Sequence, residues 1–113
     1  MKIISSSETS IYVNGKCCET TQYDFNNPNV GFAISKINGR YPEVGFFVNE
    51  DVQELIYVLE GSGSLFQKNN TISFKKGDGI LIDKGEACYW EGDCRVITIC
   101  CPEWYESQHK LLK

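Results

Sequence analysis

The chain has 113 residues, a formal net charge of −4, and 42% hydrophobic and 23% charged residues. This composition is typical of a single folded domain and excludes a disordered chain. The lysines and arginines are scattered and do not form the basic patch that is typical of nucleic-acid-binding proteins. No apolar run is long enough to span a bilayer. Because the N-terminus also lacks the apolar core of a secretion signal, we expect a cytoplasmic protein with one domain, residues 1–113.

The six cysteines do not have the spacing of a disulfide framework or a zinc site. Cys17-Cys18 and Cys100-Cys101 are adjacent pairs, and neighbours in a strand point to opposite faces of the sheet, so they are badly placed to bridge each other. No Cys-x-x-Cys pair is present. We interpret most of these cysteines as small buried side chains in a reducing compartment.

Short apolar segments separated by turns recur about every eight to twelve residues, which is typical of a β-sandwich or barrel. Asn14-Gly15 predicts a hairpin between residues 11–13 and 16–18, because both residues tolerate a positive φ. Further strands are expected at 30–37, 45–48, 53–60, 64–67, 71–74, 80–82, 87–91 and 95–101, with glycine or asparagine turns at 38–39, 61–63, 69–70, 77–79 and 92–93.

The last predicted strand ends at Pro102, because proline cannot continue a central strand. We expect residues 102–113 to form a C-terminal tail that docks on the barrel. A short helical turn after Pro102, with Trp104 and Leu111 against the barrel, is the predicted form of this tail.

Two motifs give the chain a recognisable pattern between residues 30 and 101. Glu54 is followed by six residues and then Gly61, and Gly77 and Gly85 match the two glycines of a second motif, whose proline and asparagine positions hold Asp83 and Gly92. The pattern resembles that of small single-domain cupins, the RmlC-like proteins. The resemblance implies an all-β, cupin-type double-stranded β-helix, or jelly-roll barrel, with its core at about 30–101.

The metal ligands of the family are mostly replaced. In metal-binding cupins, three histidines and one glutamate surround the ion. The first-motif histidines would fall at Phe47 and Asn49 or, with the other loop length, at Val48 and Glu50. Cys88 stands at the second-motif histidine position, and only Glu54 remains of the ligand set. We therefore expect no cofactor, with a divalent metal on Glu54 and Cys88 as the open alternative.

Glu54 is the candidate catalytic residue. Strand alternation places it inward with Ile56, where a carboxylate needs a hydrogen bond, a partner charge or a proton. It would orient a ligand or act as an acid or base; the alternative is a structural carboxylate paired with Arg40 or Arg95. Cys88 is either a ligand or nucleophile, or an inert buried thiol.

The expected partners are a small molecule and a second copy of the chain. The predicted pocket residues are Phe47, Asn49, Glu54, Cys88 and Trp90. The resemblance implies a homodimer, for which outward-facing Leu55, Tyr57 and Leu59 would suit a packed face.

Three functions follow from these residues. The first is binding of a small polar or sugar-like ligand without a typical metal centre. The second is a metal-independent sugar isomerase or epimerase that uses Glu54, with Tyr41 or Tyr89 as a partner acid. The third is a metallo-oxygenase with an atypical ligand set, which the few available donors disfavour; its distant extra donor would be His109, the single histidine of the chain.

Overall fold

The computed structural model describes residues 1–113 and is built almost entirely of antiparallel strands. The strands are β1 (Ser10–Val13), β2 (Cys18–Tyr23), β3 (Gly31–Tyr41), β4 (Phe46–Asn49), β5 (Gln53–Gln67), β6 (Asn70–Lys75), β7 (Gly79–Ile82), β8 (Ala87–Cys101) and β9 (His109–Leu112). Single turns of 3-10 helix lie at Ser6–Glu8 and Glu106–Gln108. The structure contains no helix with the length and apolar character needed to cross a membrane.

The sheet curls around two long strands. β8 pairs with β3 on one side and with β5 on the other, while β2 and β1 continue the sheet beyond β3. β5 also pairs with β6 and β7, and the start of β8 pairs with β4, which in turn pairs with β9. This curled antiparallel sheet closes into a jelly-roll barrel and confirms the predicted all-β fold class.

The core follows from the alternation of side chains along β5 and β8. Ile56 and Val58 of β5 and Cys94 and Val96 of β8 are buried, whereas the residues between them are more exposed. Val58 and Val96 are direct partners across the two strands. Burying a side chain of this size contributes about 1.5–3 kcal/mol, so the central pair of strands holds much of the packing energy.

Three of the predicted turns are wrong, because the strands run through them. Gly39 lies inside β3, Gly63 inside β5 and Gly92 inside β8, and Gly39 and Gly63 both pair with Gly92 in the sheet register. A Cβ on Gly92 would lie 2.6 Å from Gly63 Cα. These glycines form a row across three strands, which we call the glycine row. It permits close backbone approach between β5 and β8, and at Gly39 it leaves room for the Cys17 side chain.

The helical prediction for the C-terminal tail is correct only for the single turn Glu106–Gln108. The residues that follow form β9, which pairs with β4 so that His109 lies opposite Asn49. Leu111 is 60% exposed and does not dock on the barrel as expected. Trp104 does contact another ring, with its centroid 5.5 Å from that of His109. The hairpins predicted at Asn14-Gly15 and around residues 69–70 are confirmed.

The docking of β9 depends on a glycine at position 45. Gly45 has a φ of +74°, and a Cβ there would collide with the carbonyl of Leu112. Gly85 has a similar φ of +84° but open space around it. We expect Gly45→Ala and Gly85→Ala to share a left-handed backbone cost of roughly 1–2 kcal/mol. Gly45→Ala will lose additional stability and release β9.

Urea unfolding and hydrogen exchange of the β9 amides will measure the difference between the two variants. Equal stability of the two variants, with β9 equally protected, would contradict the predicted collision.

Candidate active site

The barrel encloses a cavity of about 640 Å³ between β2, β3, β4, β5 and β8, with the segment 104–109 at its rim. Phe47, Asn49, Glu54 and Trp90, four of the five residues predicted for the pocket, line this cavity. A cavity of this volume is within the range of small-molecule sites, which is about 300–1,000 Å³.

Cys88 lies outside the cavity lining. It is 2% exposed, belongs to the apolar core and sits opposite Phe47 in the β4–β8 pairing. Burial, with a smaller effect of the nearby Glu54 charge, raises the pKa of the Cys88 thiol to about 12. The geometry therefore matches the inert-thiol interpretation of this residue.

Glu54 projects from β5 into the cavity. Asn49 Nδ2 donates a hydrogen bond of 2.9 Å to Glu54 Oε1, and the Cys100 thiol lies 3.9 Å from Oε2. Burial raises the pKa of Glu54 to about 7, and the two hydrogen bonds only partly oppose this effect. At neutral pH the carboxyl is therefore close to half protonated, which suits a group that gives and takes protons.

The alternative structural role of Glu54, pairing with an arginine, is wrong. Arg95 instead lies 3.6 Å from Glu60 on the surface. Arg40 donates a 2.8 Å hydrogen bond to the carbonyl of Gly45 and stacks on the ring of Tyr89. No basic side chain compensates the Glu54 charge, which is consistent with its raised pKa.

A chain of hydrogen bonds fixes the orientation of the Asn49 side chain, which is 1% exposed. The backbone N–H groups of Asp51 and Val52 both donate to Gln108 Oε1, at 3.2 Å each. The amide nitrogen of Gln108 must then be the atom that faces Asn49, and it donates to Asn49 Oδ1 at 3.0 Å. Asn49 Oδ1 is thus an acceptor, and Asn49 Nδ2 points to Glu54.

The same oxygen determines the tautomer of His109. His109 Nδ1 lies 2.9 Å from Asn49 Oδ1, so Nδ1 carries the proton and donates. In the neutral ring Nε2 is then the basic nitrogen, 3.4 Å from the hydroxyl of Tyr41. Burial lowers the pKa of His109 from its ordinary value of 6.5, so the neutral ring prevails at pH 7. One asparagine therefore holds an imidazole and a carboxyl in the same cavity.

His109 is the site residue whose place sequence reasoning missed. It was expected in a tail distant from the motifs, but β9 carries it into the cavity. Its ring stacks on Phe47 with centroids 5.5 Å apart and planes 25° apart. The only signal in the sequence is the chain segment after Pro102, which is too short to reveal a strand by periodicity.

The two tyrosines suggested as partner acids lie in different environments. Tyr41 lines the cavity beside His109, and burial raises its pKa to about 12, so it remains a phenol that can donate a hydrogen bond. Tyr89 stacks on Phe66 with ring centroids 4.7 Å apart and does not line the cavity. The geometry therefore favours Tyr41.

The residues around Glu54 fit the metal centre of the cupin family poorly. No three side chains of the His, Cys, Asp and Glu types lie close enough together to hold a metal ion. The nearest groups to Glu54 are an amide nitrogen and a thiol whose pKa burial raises far above its ordinary value. The nitrogen of His109 that faces Asn49 carries a proton and is no ligand. The donor set around Glu54 therefore does not suit a metal ion, and the chemistry considered below uses side chains alone.

No family model matches the sequence, and no curated protein is similar to it. Solved structures do resemble the fold. Streptomyces Pac13, a nucleoside dehydratase, superposes with a TM-score of 0.90 at 13% identity over 100% of this chain and 92% of that chain. Three Pac13 structures contain uridine.

Two other solved structures also resemble the fold. The polyketide cyclase RemF from Streptomyces resistomycificus has a TM-score of 0.77 at 18% identity, covering 100% of this chain and 86% of its own. KdgF from Halomonas sp. has a TM-score of 0.73 at 16% identity, covering 92% and 96%. These identities establish a shared fold. The chain has the double-stranded β-helix of the cupin type, in agreement with the resemblance of its sequence motifs.

The tautomer of His109 is directly measurable, because it is the only histidine in the chain. Long-range ¹⁵N–¹H spectra at pH 7 should show a single imidazole with Nδ1 protonated and Nε2 free. In Asn49→Leu, which removes the acceptor at Nδ1, we expect this preference to be lost. Ser73→Ala, on an exposed strand, is the control. A wild-type ring protonated at Nε2 would refute the assignment.

The raised pKa of Glu54 predicts a cost to stability above neutral pH. The carboxyl ionises near 4.5 in the unfolded chain and at about 7 in the folded one. The folded state therefore binds the extra proton between these values, and stability falls as the pH rises through this window, by on the order of 2–3 kcal/mol.

Glu54→Gln mimics the protonated carboxyl and should remove this loss. We expect the variant to unfold at higher urea concentration than the wild type at about pH 8, and at a similar concentration at about pH 4.5. Glu60→Gln, on the same strand but exposed, should leave the pH dependence unchanged. Parallel pH curves for Glu54→Gln and the wild type would show that Glu54 has an ordinary pKa.

Proposed function

We propose that this protein is a metal-independent acid–base enzyme that eliminates water from a small sugar-like or nucleoside-like molecule. The main support is that Asn49 bonds both groups within one cavity: its Nδ2 lies 2.9 Å from Glu54 Oε1, and its Oδ1 lies 2.9 Å from His109 Nδ1. Burial raises the pKa of Glu54 to about 7 and lowers the pKa of His109 below its ordinary value of 6.5, so at neutral pH the imidazole is free to accept a proton while part of the carboxyl still carries one. Such a pair can supply a base and an acid at the same pH.

The proposed reaction uses His109 as the base and Glu54 as the acid. His109 Nε2 removes a proton from a carbon beside a carbonyl group, and the electron pair of the broken C–H bond moves towards the carbonyl oxygen. A C=C bond then forms as the C–O bond of the neighbouring hydroxyl breaks. Glu54 gives its proton to the departing oxygen, which leaves as water. Transfer of the proton from His109 back to Glu54 through solvent restores both groups.

Tyr41 has a supporting role in this proposal. Its hydroxyl is a hydrogen-bond donor at the Nε2 side of His109, and its pKa of about 12 keeps it protonated at neutral pH. It can therefore donate to the carbonyl oxygen as negative charge develops there. Pac13 supports the choice of an elimination, because a nucleoside dehydratase uses the same fold over the whole length of this chain. The uridine in a Pac13 structure supports a nucleoside-like ligand.

Binding of a small polar ligand without catalysis was the leading expectation from the sequence, and it would use the same cavity. The isomerase or epimerase alternative shares the first proton transfer and differs only in returning the proton to carbon. The acid–base pair favours catalysis over binding alone, because a site for binding alone has no need of a proton-bearing carboxyl beside a neutral imidazole.

Incubation in D₂O with a panel of keto-sugars, nucleosides oxidised to carry a carbonyl group on the sugar, and nucleotide keto-sugars will test the proposal. Mass spectrometry detects loss of water, and NMR detects deuterium entering at carbon. We expect kcat/KM to be bell-shaped in pH, rising as His109 loses its proton below pH 6.5 and falling as Glu54 ionises at about pH 7.

Glu54→Gln and His109→Asn should each lower kcat by roughly 10²–10⁴-fold, and Tyr41→Phe by less. Glu60→Gln is the matched control for the first of these. Full turnover by Glu54→Gln or by His109→Asn would overturn the assignment. Deuterium exchange without loss of water would identify an epimerase or isomerase instead.

The homodimer and the cytoplasmic location expected from the sequence remain proposals. Leu55 and Tyr57 are 53% and 49% exposed on the outer face of β5, as predicted from strand alternation, and would be covered by a second copy. Sedimentation velocity on the wild type and on Leu55→Ser would test this arrangement.

A further inference from the structure

The cavity extends beyond the acid–base groups along the inner faces of three neighbouring strands. Gln22 of β2, Ala33 of β3 and Thr98 of β8 lie at one level of the sheet register, and all three line the cavity. The next level inward along the strands contains Thr20 and Ser35, again on the cavity wall. The wall therefore carries two successive polar rows.

The position of these rows relative to Glu54 follows from the pairing of β5 with β8. Glu54 is opposite Cys100, which is two residues beyond Thr98 in β8. Two residues of a strand span roughly 7 Å, so the Gln22–Thr98 row begins about 7 Å from the level of Glu54 and the Thr20–Ser35 row about 14 Å from it. A ligand that reacts at Glu54 has its other end beside these rows.

The side chains of the polar rows can donate hydrogen bonds to a bound molecule and accept them from it. The hydroxyls of Thr20 and Ser35 lie 3.0 Å apart, and Asn14 Nδ2 donates to Thr20 Oγ1 at 2.9 Å. These bonds orient the hydroxyls while leaving each with further capacity. The side chains of Gln22 and Thr98 line the cavity, and neither has a buried polar atom that lacks a partner, so their polar groups are open to the cavity. A bound molecule can take the place of solvent on such groups.

The charge of the wall limits what that molecule can be. No lysine or arginine lines the cavity, whereas two carboxyl groups do, those of Glu54 and Glu106. Phosphate groups are usually bound by arginine, lysine or the N-terminus of a helix. The one helical turn at the rim starts with Glu106, an acidic residue that repels an anion.

We infer that the cavity takes an uncharged, unphosphorylated polar molecule that extends from the Glu54–His109 pair to the hydroxyl row of Thr20 and Ser35. The two rows recognise its non-reacting end by hydrogen bonds. The inference rests on the proposed function in one respect, namely the assignment of the reacting end of the molecule to the Glu54–His109 pair. A cavity of about 640 Å³ admits a molecule of nucleoside or disaccharide size and places its neutral end against a neutral wall.

Binding of matched neutral and phosphorylated molecules will test the inference. Isothermal titration of the purified protein compares uridine with uridine 5′-monophosphate, thymidine with its 5′-monophosphate, and trehalose with trehalose 6-phosphate. We expect at least one neutral member to bind, and its phosphate ester to bind at least tenfold more weakly. A phosphate ester that binds as tightly as its neutral partner would overturn the inference, as would absence of binding by every neutral member at millimolar concentration.

Variants of the polar rows test which side chains contact the non-reacting end of the ligand. Thr98→Val and Ser35→Ala each remove one hydroxyl with little change of volume. We expect each to weaken binding of the neutral ligand about tenfold and to lower the melting temperature no more than Ser73→Ala does, since that variant also breaks a pair of hydroxyls. The matched control is Ser73→Ala, because the Ser64–Ser73 hydroxyl pair, 3.1 Å apart, lies on the outer surface. Wild-type affinity in both cavity variants would refute the role of the rows.

Glu54→Gln separates this inference from the proposed function. It should lower kcat by roughly 10²–10⁴-fold and keep the neutral ligand bound. If the Glu54→Gln variant keeps full turnover, the acid–base assignment of Glu54 is wrong. The discrimination against phosphate esters is tested separately, by the titrations.

Discussion

The site depends on the Asn49 side chain, whose two ends have opposite hydrogen-bonding roles. Its oxygen accepts from Gln108 and His109, and its nitrogen donates to Glu54. The backbone amides of Asp51 and Val52, just before β5, fix Gln108, so the orientation of Asn49 is determined by the main chain and not by side-chain preference. An amide held in this way can only support a Nδ1-protonated histidine and a carboxyl group that accepts. The proton positions of the site are thus a consequence of the fold.

The fold supplies this arrangement by pairing two strands that are far apart in the sequence. β4 carries Asn49 and β9 carries His109, and the two strands pair at the edge of the barrel. Gly63 and Gly92 of the glycine row let β5 and β8 approach closely, since a side chain at either position would collide with the facing strand. The long strands therefore run through positions where the glycines in the sequence suggest turns.

The sequence predicted the barrel and half of the site. Alternating side chains and the Glu54–Gly61 spacing indicated both the fold class and the inward direction of Glu54, because these depend on local pattern. The glycines of the row were misread as turns, since close approach between strands and a tight turn place the same demand on a residue. His109 was missed for a different reason: its position depends on the pairing of β9 with β4, a contact between segments that no local pattern encodes.

The same burial that makes Glu54 useful makes it costly. An arginine beside it would stabilise the carboxylate and lower its pKa, but both arginines near the barrel bind elsewhere. The neutral hydroxyl rows continue this pattern, because a cation placed there for a phosphate would also favour ionised Glu54. The absence of cations from the cavity lining therefore serves two purposes at once. It keeps the acid protonated near neutral pH, and it selects molecules without charge.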